Sequence, residues 1–470
     1  MRLTKIIATI GPACNSEEKI RQMIQGGMDV ARLNFSHGTH EEHLGALQTI
    51  RTASEQLGHP VAVMQDLCGP KIRVGELKSD SVELKPGGLL RIVREAVVGD
   101  NNSISCTYPE IVDDVKEGDR ILLNDGLIEL QAIGKTRDYL DCKVINGGPL
   151  KPHKGINLPG VKISAPSITE KDRRDLEWGI ENKVDYMALS FVRRADDIEE
   201  LKELLRSRGS AIHTVAKIEK PEAIEHIEEI VQAADVIMIA RGDMGVEMHV
   251  EEVPAIQKRL ITLCTRFNKP VIVATQMLES MIENAAPTRA EVSDIANAIL
   301  DGTDAVMLSG ETSIGRHPLR ALAMMAHVAR RTEESMKGEL PRERRLVLGD
   351  TQDFGHLIAY SVAHLARRLG VKLVIGFTAS GRTVRLLSKR RMTVPILGAS
   401  TGADVVRKMC LYRGVAPLRT ERFTDSELMF KKGAALAVEN NLAEKGDDVV
   451  FVAGLPLGAS ATNTLRLEHL

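Results

Sequence analysis

Six short apolar runs in this sequence end in polar or charged side chains. In chain order these ends are Arg32 with Asn34, Ser36 and His37; Asp66; Lys217 with Glu219; Arg241 with Gly242 and Asp243; Thr275 with Gln276; and Ser309 with Gly310 and Glu311. Arginine, lysine and carboxylate groups that converge on one point suit a polyanionic substrate held with a hard divalent cation. Phosphoryl transfer needs this charge neutralisation and positioning more than it needs covalent help from the protein.

The third of these runs carries two opposite charges on one face. Lys217 and Glu219 are two positions apart, so both point to one side of a strand and Ile218 points to the other. Such charges are costly on a buried strand unless each finds a partner. Glu219 and Asp243, which end successive runs, would give Mg2+ the oxygen ligands that it prefers. A structural salt bridge of Lys217 with either carboxylate is the alternative, and the six occupied ends favour the metal site.

Apolar runs alternate with helical stretches along most of the chain. Eight runs read as strands, at residues 6–10, 29–35, 61–66, 184–190, 214–219, 235–240, 270–275 and 304–308. Eight β/α units predict an α/β fold of the (β/α)8 TIM-barrel type, and a doubly wound open sheet is the competing architecture. A TIM barrel would bring the carboxyl ends of all its strands, where the polar groups lie, to one active-site face.

Helical periodicity disappears between about residues 70 and 159. Alternating runs at 81–84, 89–93, 120–123 and 127–132 replace it, and Asn124-Asp125-Gly126 is a hairpin-turn signal between the last two. These short alternating runs predict a small β-barrel domain inserted into the TIM barrel.

The last third of the chain is again α/β in pattern. Residues 341–350 read as a polar linker, and a helix at 358–369 precedes strands at 373–378, 394–397 and 448–452. The predicted domains are therefore a barrel formed by residues 1–69 and 164–343, an inserted β domain at 70–163 and a C-terminal α/β domain at 344–470.

Composition narrows the function classes. The 470 residues carry a formal net charge of −2, which argues against a nucleic-acid partner, and the basic runs Arg342 to Arg345 and Lys389 to Arg391 are expected to be solvated surface. No apolar run approaches the roughly 20 residues of a membrane span. The six cysteines are scattered, which predicts free thiols in a reducing compartment, and with no signal-peptide pattern we expect a cytoplasmic protein.

Two common nucleotide-binding motifs are missing from the sequence. There is no G-x-x-x-x-G-K-[ST] run, so the chain is not a P-loop enzyme. No strand followed by G-x-G-x-x-G is evident either, which argues against a dinucleotide oxidoreductase.

Several longer stretches together resemble the pyruvate kinase family over essentially the whole chain. They are Thr4-Lys-Ile-Ile-Ala-Thr-Ile-Gly-Pro12, Arg32-Leu-Asn-Phe-Ser-His-Gly38, Lys217-Ile-Glu219, Ile239-Ala-Arg-Gly-Asp-Met-Gly245, Ala274-Thr-Gln-Met-Leu-Glu-Ser-Met281, and Pro287-Thr-Arg-Ala-Glu291 through Asp301-Gly-Thr-Asp-Ala-Val-Met-Leu-Ser-Gly-Glu311. The resemblance implies phosphoryl transfer from phosphoenolpyruvate to ADP, giving pyruvate and ATP, in a homotetramer.

The resemblance also implies a role for each matching position. Arg32 and Lys217 would hold the transferring phosphoryl group, and Glu219 and Asp243 would bind Mg2+ or Mn2+. Backbone at Gly242 and Asp243, with the Thr275 hydroxyl, would hold the substrate carboxylate. Further implied roles are nucleotide contact at Asn34, Phe35, Ser36, His37 and Arg73, and proton delivery to the enolate by Thr275 and Ser309. The inserted domain would close as a lid, with hinges at Gly69-Pro70 and Pro159-Gly160.

One segment departs from the usual family pattern. Members that require K+ use Asn34-, Ser36- and Asp66-type ligands, and their motif reads Asp-Thr-Lys-Gly-Pro-Glu-Ile-Arg-Thr. Here it is Asp66-Leu-Cys-Gly-Pro-Lys-Ile-Arg-Val74, so Leu67 offers a backbone carbonyl but no hydroxyl. The hypothesis is that the Lys71 ammonium replaces K+, since two compact cations in one place would repel each other strongly. A solvent-facing Lys71 without a role is the alternative.

A second candidate site lies in the C-terminal part. Thr378, Ser380, Gly381, Arg382 and Thr383 run from a predicted strand into a helix start, where hydroxyls and free N–H groups can hold an anion. Ordinary helix capping explains Ser380 equally well. By resemblance this loop would bind the phosphate of an allosteric effector. Its sequence is similar to that of family members that respond to AMP or sugar monophosphates.

Two other functions fit part of this pattern. A metal-dependent aldolase or lyase acting on pyruvate would share the carboxylate pair, but it would need neither the inserted lid nor the Arg32 and Lys217 clamp. A catalytically silent sensor of sugar phosphates would have lost at least one of these residues, and none is missing.

Overall fold

The computed structural model describes residues 1–336, 353–457 and 461–470. The chain opens with three strands and two helices: β1 (Lys5–Thr9), α1 (Glu17–Gly26), β2 (Val30–Asn34), α2 (His40–Gln56) and β3 (Ala62–Asp66). Both helices begin at side-chain caps, because the Ser16 and Thr39 hydroxyls accept backbone N–H groups of the first turn. The three predicted strands of this part are thereby confirmed.

The next segment is built almost entirely of strands. They are β4 (Val82–Leu84), β5 (Leu89–Val93), β6 (Ser103–Ser105), β7 (Arg120–Leu123), β8 (Ile128–Lys135), β9 (Tyr139–Asn146), β10 (Gly148–Leu150) and β11 (Ile156–Asn157), with one short helix, α3 (Ile111–Asp114). Asn124 and Asp125 have the positive φ values of 53° and 56° that a hairpin turn between β7 and β8 requires. The predicted turn is confirmed.

This segment has a hydrophobic cluster of its own, beneath a six-stranded sheet in the order β11-β7-β8-β9-β5-β6. A two-stranded sheet of β10 and β4 lies beside it. The predicted small barrel is thus found as a sheet with edge strands β11 and β6. The boundaries at residues 69/70 and 163/164 stay predictions.

The β/α alternation resumes after the insertion. Its elements are α4 (Glu170–Glu181), β12 (Tyr186–Leu189), α5 (Ala195–Ser207), β13 (His213–Ile218), α6 (Pro221–Glu225), α7 (Ile227–Ala233), β14 (Val236–Ala240), α8 (Arg241–Glu247), α9 (Val253–Arg266), β15 (Val271–Ala274), α10 (Arg289–Asp301), β16 (Ala305–Leu308), α11 (Gly310–Ser313) and α12 (Pro318–Ser335). Short 3-10 turns cover Val250–Glu252 and Glu279–Ile282.

Eight parallel strands close into a barrel in the order β1-β16-β15-β14-β13-β12-β3-β2. Closure is direct, because Lys5 of β1 pairs with Ala305 of β16 while Ile7 pairs with Val30 of β2. An open doubly wound sheet would leave β1 and β16 apart, so that alternative is wrong and the predicted TIM barrel is confirmed. Alternate side chains fill the barrel interior or pack under the surrounding helices.

The C-terminal segment forms a second, five-stranded sheet. Its elements are α13 (Phe354–Leu369), β17 (Leu373–Phe377), α14 (Arg382–Ser388), β18 (Ile396–Ser400), α15 (Ala403–Met409), β19 (Val415–Arg419), α16 (Ser426–Glu439), β20 (Asp448–Ala453) and β21 (Thr464–His469). The order is β19-β18-β17-β20-β21, with only β21 antiparallel to its neighbour. Strands β19 and β21 were not predicted. The predicted linker and the 343/344 boundary lie outside the described residues.

The C-terminal segment docks on the amino-terminal ends of the barrel strands. The Lys389 Nζ lies 2.7 Å from the Asp304 carboxylate, immediately before β16, and both side chains are only 1% exposed. Arg391 contacts the same carboxylate at 3.2 Å. The prediction that residues 389–391 are solvated surface is therefore wrong, because their partner lies far away in sequence. The run at 342–345 lies outside the described residues.

Two further contacts fix the same interface. Lys5 Nζ donates to the Val415 carbonyl at 2.8 Å, and Arg407 Nε lies 2.7 Å from the Asp185 carboxylate. The base of the barrel is thus closed by the second sheet, and the opposite end stays clear of it.

Two expectations from composition can be compared with the structure. No cysteine is bonded to another, so the free thiols are confirmed. Among the described residues, no helix combines the length and the hydropathy that a membrane crossing demands.

We expect Asp304→Asn to lower the free energy of unfolding by about 3–5 kcal/mol, because it leaves the buried Lys389 ammonium without its counter-charge. Burial, together with the Arg391 charge, already lowers the pKa of Lys389 to about 8 despite the Asp304 carboxylate. Thermal and urea unfolding would measure the loss.

The matched control is Asp141→Asn, which breaks an exposed ion pair with Arg91. It should cost less than about 1 kcal/mol. Equal effects of the two substitutions would contradict a structural role for the Lys389–Asp304 pair.

Candidate active site

The polar groups predicted to meet do meet at one end of the barrel. All six predicted strand ends lie on this face, and the two ends that sequence analysis passed over contribute as well: Thr9 ends β1 and Ser190 follows β12. The Thr9 hydroxyl accepts from Arg32 Nη1 at 2.9 Å and donates to the Leu308 carbonyl. Every strand of the barrel therefore supports the site.

A chain of four alternating charges crosses the face. Asp66 holds Arg32 at 2.7 Å through one carboxylate oxygen and Lys217 at 3.3 Å through the other. Lys217 Nζ continues to the Glu219 carboxylate at 3.0 Å. Asp66 and Glu219 are each 1% exposed. Two cations are thus fixed side by side, and each lies a few ångström from a carboxylate that partly neutralises it.

The protonation states follow from these neighbours. Burial alone would raise the pKa of Asp66, but the Lys217 and Arg32 charges outweigh it and lower that pKa. Burial alone would lower the pKa of Lys217, but the Asp66 and Glu219 carboxylates raise it instead. Lys217 is therefore an ammonium ion at neutral pH and not a general base.

Ser190 is a residue that sequence analysis missed. Its hydroxyl accepts from Lys217 Nζ at 2.6 Å and donates to the Leu67 carbonyl at 2.8 Å. The next backbone N–H, at Phe191, donates to Glu219 at 2.8 Å, with Phe191 at a φ of 56°. The signal was available, because a serine ends the fourth predicted strand at the position where the other strands carry polar groups.

The loops after β14 and β15 meet through two hydrogen bonds. The Gly242 N–H donates to the Thr275 hydroxyl at 2.7 Å, and Arg241 Nη2 donates to the Thr275 carbonyl at 2.9 Å. Thr275 and Gln276 have φ values of 70° and 55°, which non-glycine residues rarely adopt. Strained backbone of this kind clusters at ligand-binding sites.

Ser309 follows β16 and has its hydroxyl buried. That hydroxyl has no hydrogen-bond partner among the described residues. The Ser309 N–H donates to Glu311 at 2.7 Å, so the backbone of the residue is fixed although its side chain is not.

Two carboxylates, Glu219 and Asp243, could hold a divalent cation. Burial and the nearby Asp243 raise the pKa of Glu219, whereas Lys217 opposes that rise. The alternative interpretation was a structural salt bridge of Lys217 with one of these carboxylates. It holds for Glu219, which Lys217 contacts, but Asp243 forms no ion pair with a described residue. No three metal-ligating side chains cluster among the described residues. Two carboxylates fit Mg2+, which keeps water and substrate oxygens in its remaining positions.

The predicted nucleotide residues divide between two environments. The Phe35 side chain is in the core, stacked on His43 at 4.1 Å and packed against Trp178, so only its backbone faces the site. Burial and the Arg73, Lys71 and Arg32 charges lower the pKa of His37. The structure therefore brings cations of the inserted segment close to those of the barrel.

A pocket lies between the inserted sheet and the barrel mouth. Lys71 and Asp243 are on its wall, together with Arg193, Lys220 and Glu247, which sequence analysis did not select. Asn157 of the insertion donates to Glu247 of α8 at 2.9 Å, and Lys220 lies 2.7 Å from the same carboxylate. Only the folded insertion reveals these residues as neighbours of the site.

The predicted monovalent-cation region is compact. Asn34 Oδ1 accepts from the Ser36 N–H at 3.2 Å, and Asp66 lies beside them on β3. The Leu67 carbonyl already accepts from Ser190. Lys71 forms no ion pair with a described residue.

The predicted effector loop is ordered by its own side chains. The Gly381 N–H donates to the Thr378 hydroxyl at 2.9 Å, and Gly381 has a φ of 85°. Arg382 forms an ion pair with Asp353, and the buried Thr383 hydroxyl shares a hydrogen bond of 2.6 Å with Thr462. Ser380 is exposed at the turn.

Comparisons with known proteins agree on one family. The family described as pyruvate kinase, barrel domain, matches residues 1–322, and the one described as pyruvate kinase, alpha/beta domain, matches residues 356–468. Relatives named pyruvate kinase from Geobacillus stearothermophilus and Staphylococcus aureus (strain MRSA252) are 44% and 43% identical, over 100% of this chain and 80% of theirs. The crystal structure of a pyruvate kinase from Cryptosporidium parvum, 36% identical, superposes with a TM-score of 0.94 over 100% of this chain and 96% of that one. The chain belongs to the pyruvate kinase family.

Proposed function

We propose that this protein transfers the phosphoryl group of phosphoenolpyruvate to ADP, giving pyruvate and ATP. The observation that carries the proposal is the pair of buried cations, Arg32 and Lys217, which Asp66 holds side by side at the barrel mouth. Fixed positive charge of this kind stabilises the equatorial oxygens of a transferring phosphoryl group without any reorganisation during the step.

The reaction divides into two parts. The bond between phosphorus and the enol oxygen breaks as a β-phosphate oxygen of ADP forms a new bond to phosphorus, between Arg32 and Lys217. The enolate that remains takes a proton at its methylene carbon through the Thr275 and Ser309 hydroxyls. Backbone N–H groups at Gly242 and Asp243, with Thr275, orient the substrate carboxylate.

Glu219 and Asp243 are the proposed ligands of Mg2+ or Mn2+. A bound divalent cation would add charge neutralisation at the phosphoryl oxygens. The carboxylate pair supports this proposal, because burial and then the Asp243 charge raise the pKa of Glu219, and a bound cation would offset both effects.

The inserted segment, residues 70–163, is proposed to be a lid. Gly69 and Gly160 have φ values of 67° and 74°, and they flank the insertion where hinges are needed. Closure would exclude water from the barrel mouth. From the resemblance we further propose a cytoplasmic homotetramer.

The first test is pyruvate formation from phosphoenolpyruvate and ADP, with Mg2+ and after chelation by EDTA. We expect turnover only with the cation. Glu219→Gln should lower kcat at saturating Mg2+ by about 100-fold, because a metal ligand contributes several kcal/mol of charge stabilisation.

The matched control is Glu181→Gln, at an exposed carboxylate that ends α4. It should leave kcat within about twofold, as surface substitutions usually do. Wild-type protein that makes no pyruvate from this mixture would contradict the proposed activity and return attention to an aldolase or lyase, which family membership does not favour.

We also propose that the enzyme needs no monovalent cation, because the Lys71 ammonium supplies that charge. Lys71 contributes to the positive field at His37 and lies on the wall of the pocket that contains Asp243. It forms no ion pair with a described residue, so its charge is available to substrate.

Pyruvate formation should therefore be equal in potassium-free buffer and with added KCl. Lys71→Glu should make the rate depend on K+, because the carboxylate removes the built-in cation and restores room for an added one. Rates at matched ionic strength with KCl and with tetramethylammonium chloride measure this. A Lys71→Glu variant that stays indifferent to K+ would show the hypothesis to be wrong.

The loop of residues 378–383 is proposed to bind the phosphate of AMP or of a sugar monophosphate, and thereby to activate the enzyme. The Ser380 side chain is exposed, Gly381 beside it is buried, and Arg382 is half-exposed. An arginine beside hydroxyls and a helix start is suited to phosphate.

Replacement of Thr378, Ser380 and Thr383 by alanine should abolish activation by AMP and glucose 6-phosphate, and should leave the rate without effector unchanged. Initial rates at low phosphoenolpyruvate, with and without each effector, measure this. Activation that survives the triple substitution would place the effector elsewhere.

A further inference from the structure

Glu311 is a buried carboxylate without a counter-cation. Its side chain is fully buried, at 0% exposure, and it forms no ion pair with a described residue. It accepts instead from two backbone N–H groups, that of Leu278 at 3.0 Å and that of Ser309 at 2.7 Å. A buried charge without a counter-charge is costly, so its presence at this position calls for a reason beyond packing.

The two donors follow different strands of the barrel. Leu278 lies three residues after Thr275, in the loop that follows β15, and Ser309 is the residue that follows β16. The loops are in close contact, because a side-chain carbon placed on Gly310 would come within 2.8 Å of Ile282. Glu311 is therefore a clamp between the loop that carries Thr275 and the residue Ser309.

The two hydroxyls depend on the backbone that carries them. Thr275 has a φ of 70°, a value that non-glycine residues rarely adopt. The Ser309 hydroxyl is buried without a partner among the described residues, so no side-chain contact fixes it. The Glu311 carboxylate is the contact that fixes the backbone of Ser309 relative to the neighbouring loop.

We propose that Glu311 is a positioning residue that aligns the Thr275 and Ser309 hydroxyls for proton delivery to the enolate. This inference rests on the proposed function, because it concerns the second half of that reaction. Loss of the clamp should slow protonation at carbon and spare phosphoryl binding, since Arg32 and Lys217 are held by Asp66 and not by Glu311.

The half-reaction can be observed by itself in the reverse direction. A C–H bond at the pyruvate methyl breaks, its electron pair forms the carbon–carbon double bond of the enolate, and the carbonyl π pair moves onto oxygen. The proton passes to solvent. In D2O a deuteron returns to the methyl carbon, so loss of the methyl proton signal by NMR reports the step, with pyruvate, Mg2+ and ATP as the ligands.

Glu311→Gln keeps the volume but presents an amide N–H to one of the two donors. We expect methyl exchange to fall by about 100-fold, as misplacement of a catalytic group by about 1 Å can cost. The KM for phosphoenolpyruvate should change by less than about threefold, because ground-state binding is untouched. Glu311→Asp keeps the charge but shortens its reach, so its rate of methyl exchange should lie between those of the wild type and Glu311→Gln.

Glu181→Gln is the matched control, at an exposed carboxylate that ends α4, and it should exchange like the wild type. Exchange that is unchanged in Glu311→Gln, or that falls only in proportion to a weaker KM, would overturn the inference. Failure of both Glu311 variants to fold would assign the residue to stability and would overturn it too. A wild type that neither exchanges methyl protons nor makes pyruvate would overturn the proposed function instead.

Discussion

The buried chain of charges from Arg32 through Asp66 and Lys217 to Glu219 is the constraint on which the rest of the structure depends. Two cations and two carboxylates are removed from water, so each is tolerated only while its partners stay within hydrogen-bond reach. A closed barrel meets this demand, because β2, β3 and β13 are fixed by their neighbours on both sides. The rigidity of the site is therefore a property of barrel closure rather than of any single loop.

Chemistry and stability occupy opposite ends of the same strands. The carboxyl ends carry strained backbone and a hydroxyl without a partner, features that lower stability but leave groups available to a substrate. The amino-terminal ends carry the second sheet, where Lys389 and Asp304 form a buried pair. The side chains of the barrel interior form one cluster with those of the second sheet. The docked base can thus compensate for strain at the mouth.

Backbone N–H groups do much of the alignment at the mouth. Gly242 to Thr275, Phe191 to Glu219, and Leu278 to Glu311 are all contacts between one loop and the next. Each joins the ends of adjacent strands, so these loops hold one another in place around part of the site. Backbone donors have less freedom to reorient than long side chains, which suits a site that must stabilise charge without rearrangement.

The sequence by itself determined the eight strands, the inserted β segment and the polar ends of the strands, because alternation and periodicity are local properties of the chain. It also indicated Arg32, Lys217, Glu219 and Asp243. Only the tertiary structure decided which contacts those residues make. It revealed Ser190 beside Lys217, buried the side chain of Phe35, and placed Lys389 against Asp304, 85 residues away. A partner that arrives from a distant strand or another sheet leaves no local signal, so burial and pairing of charged groups require the folded chain.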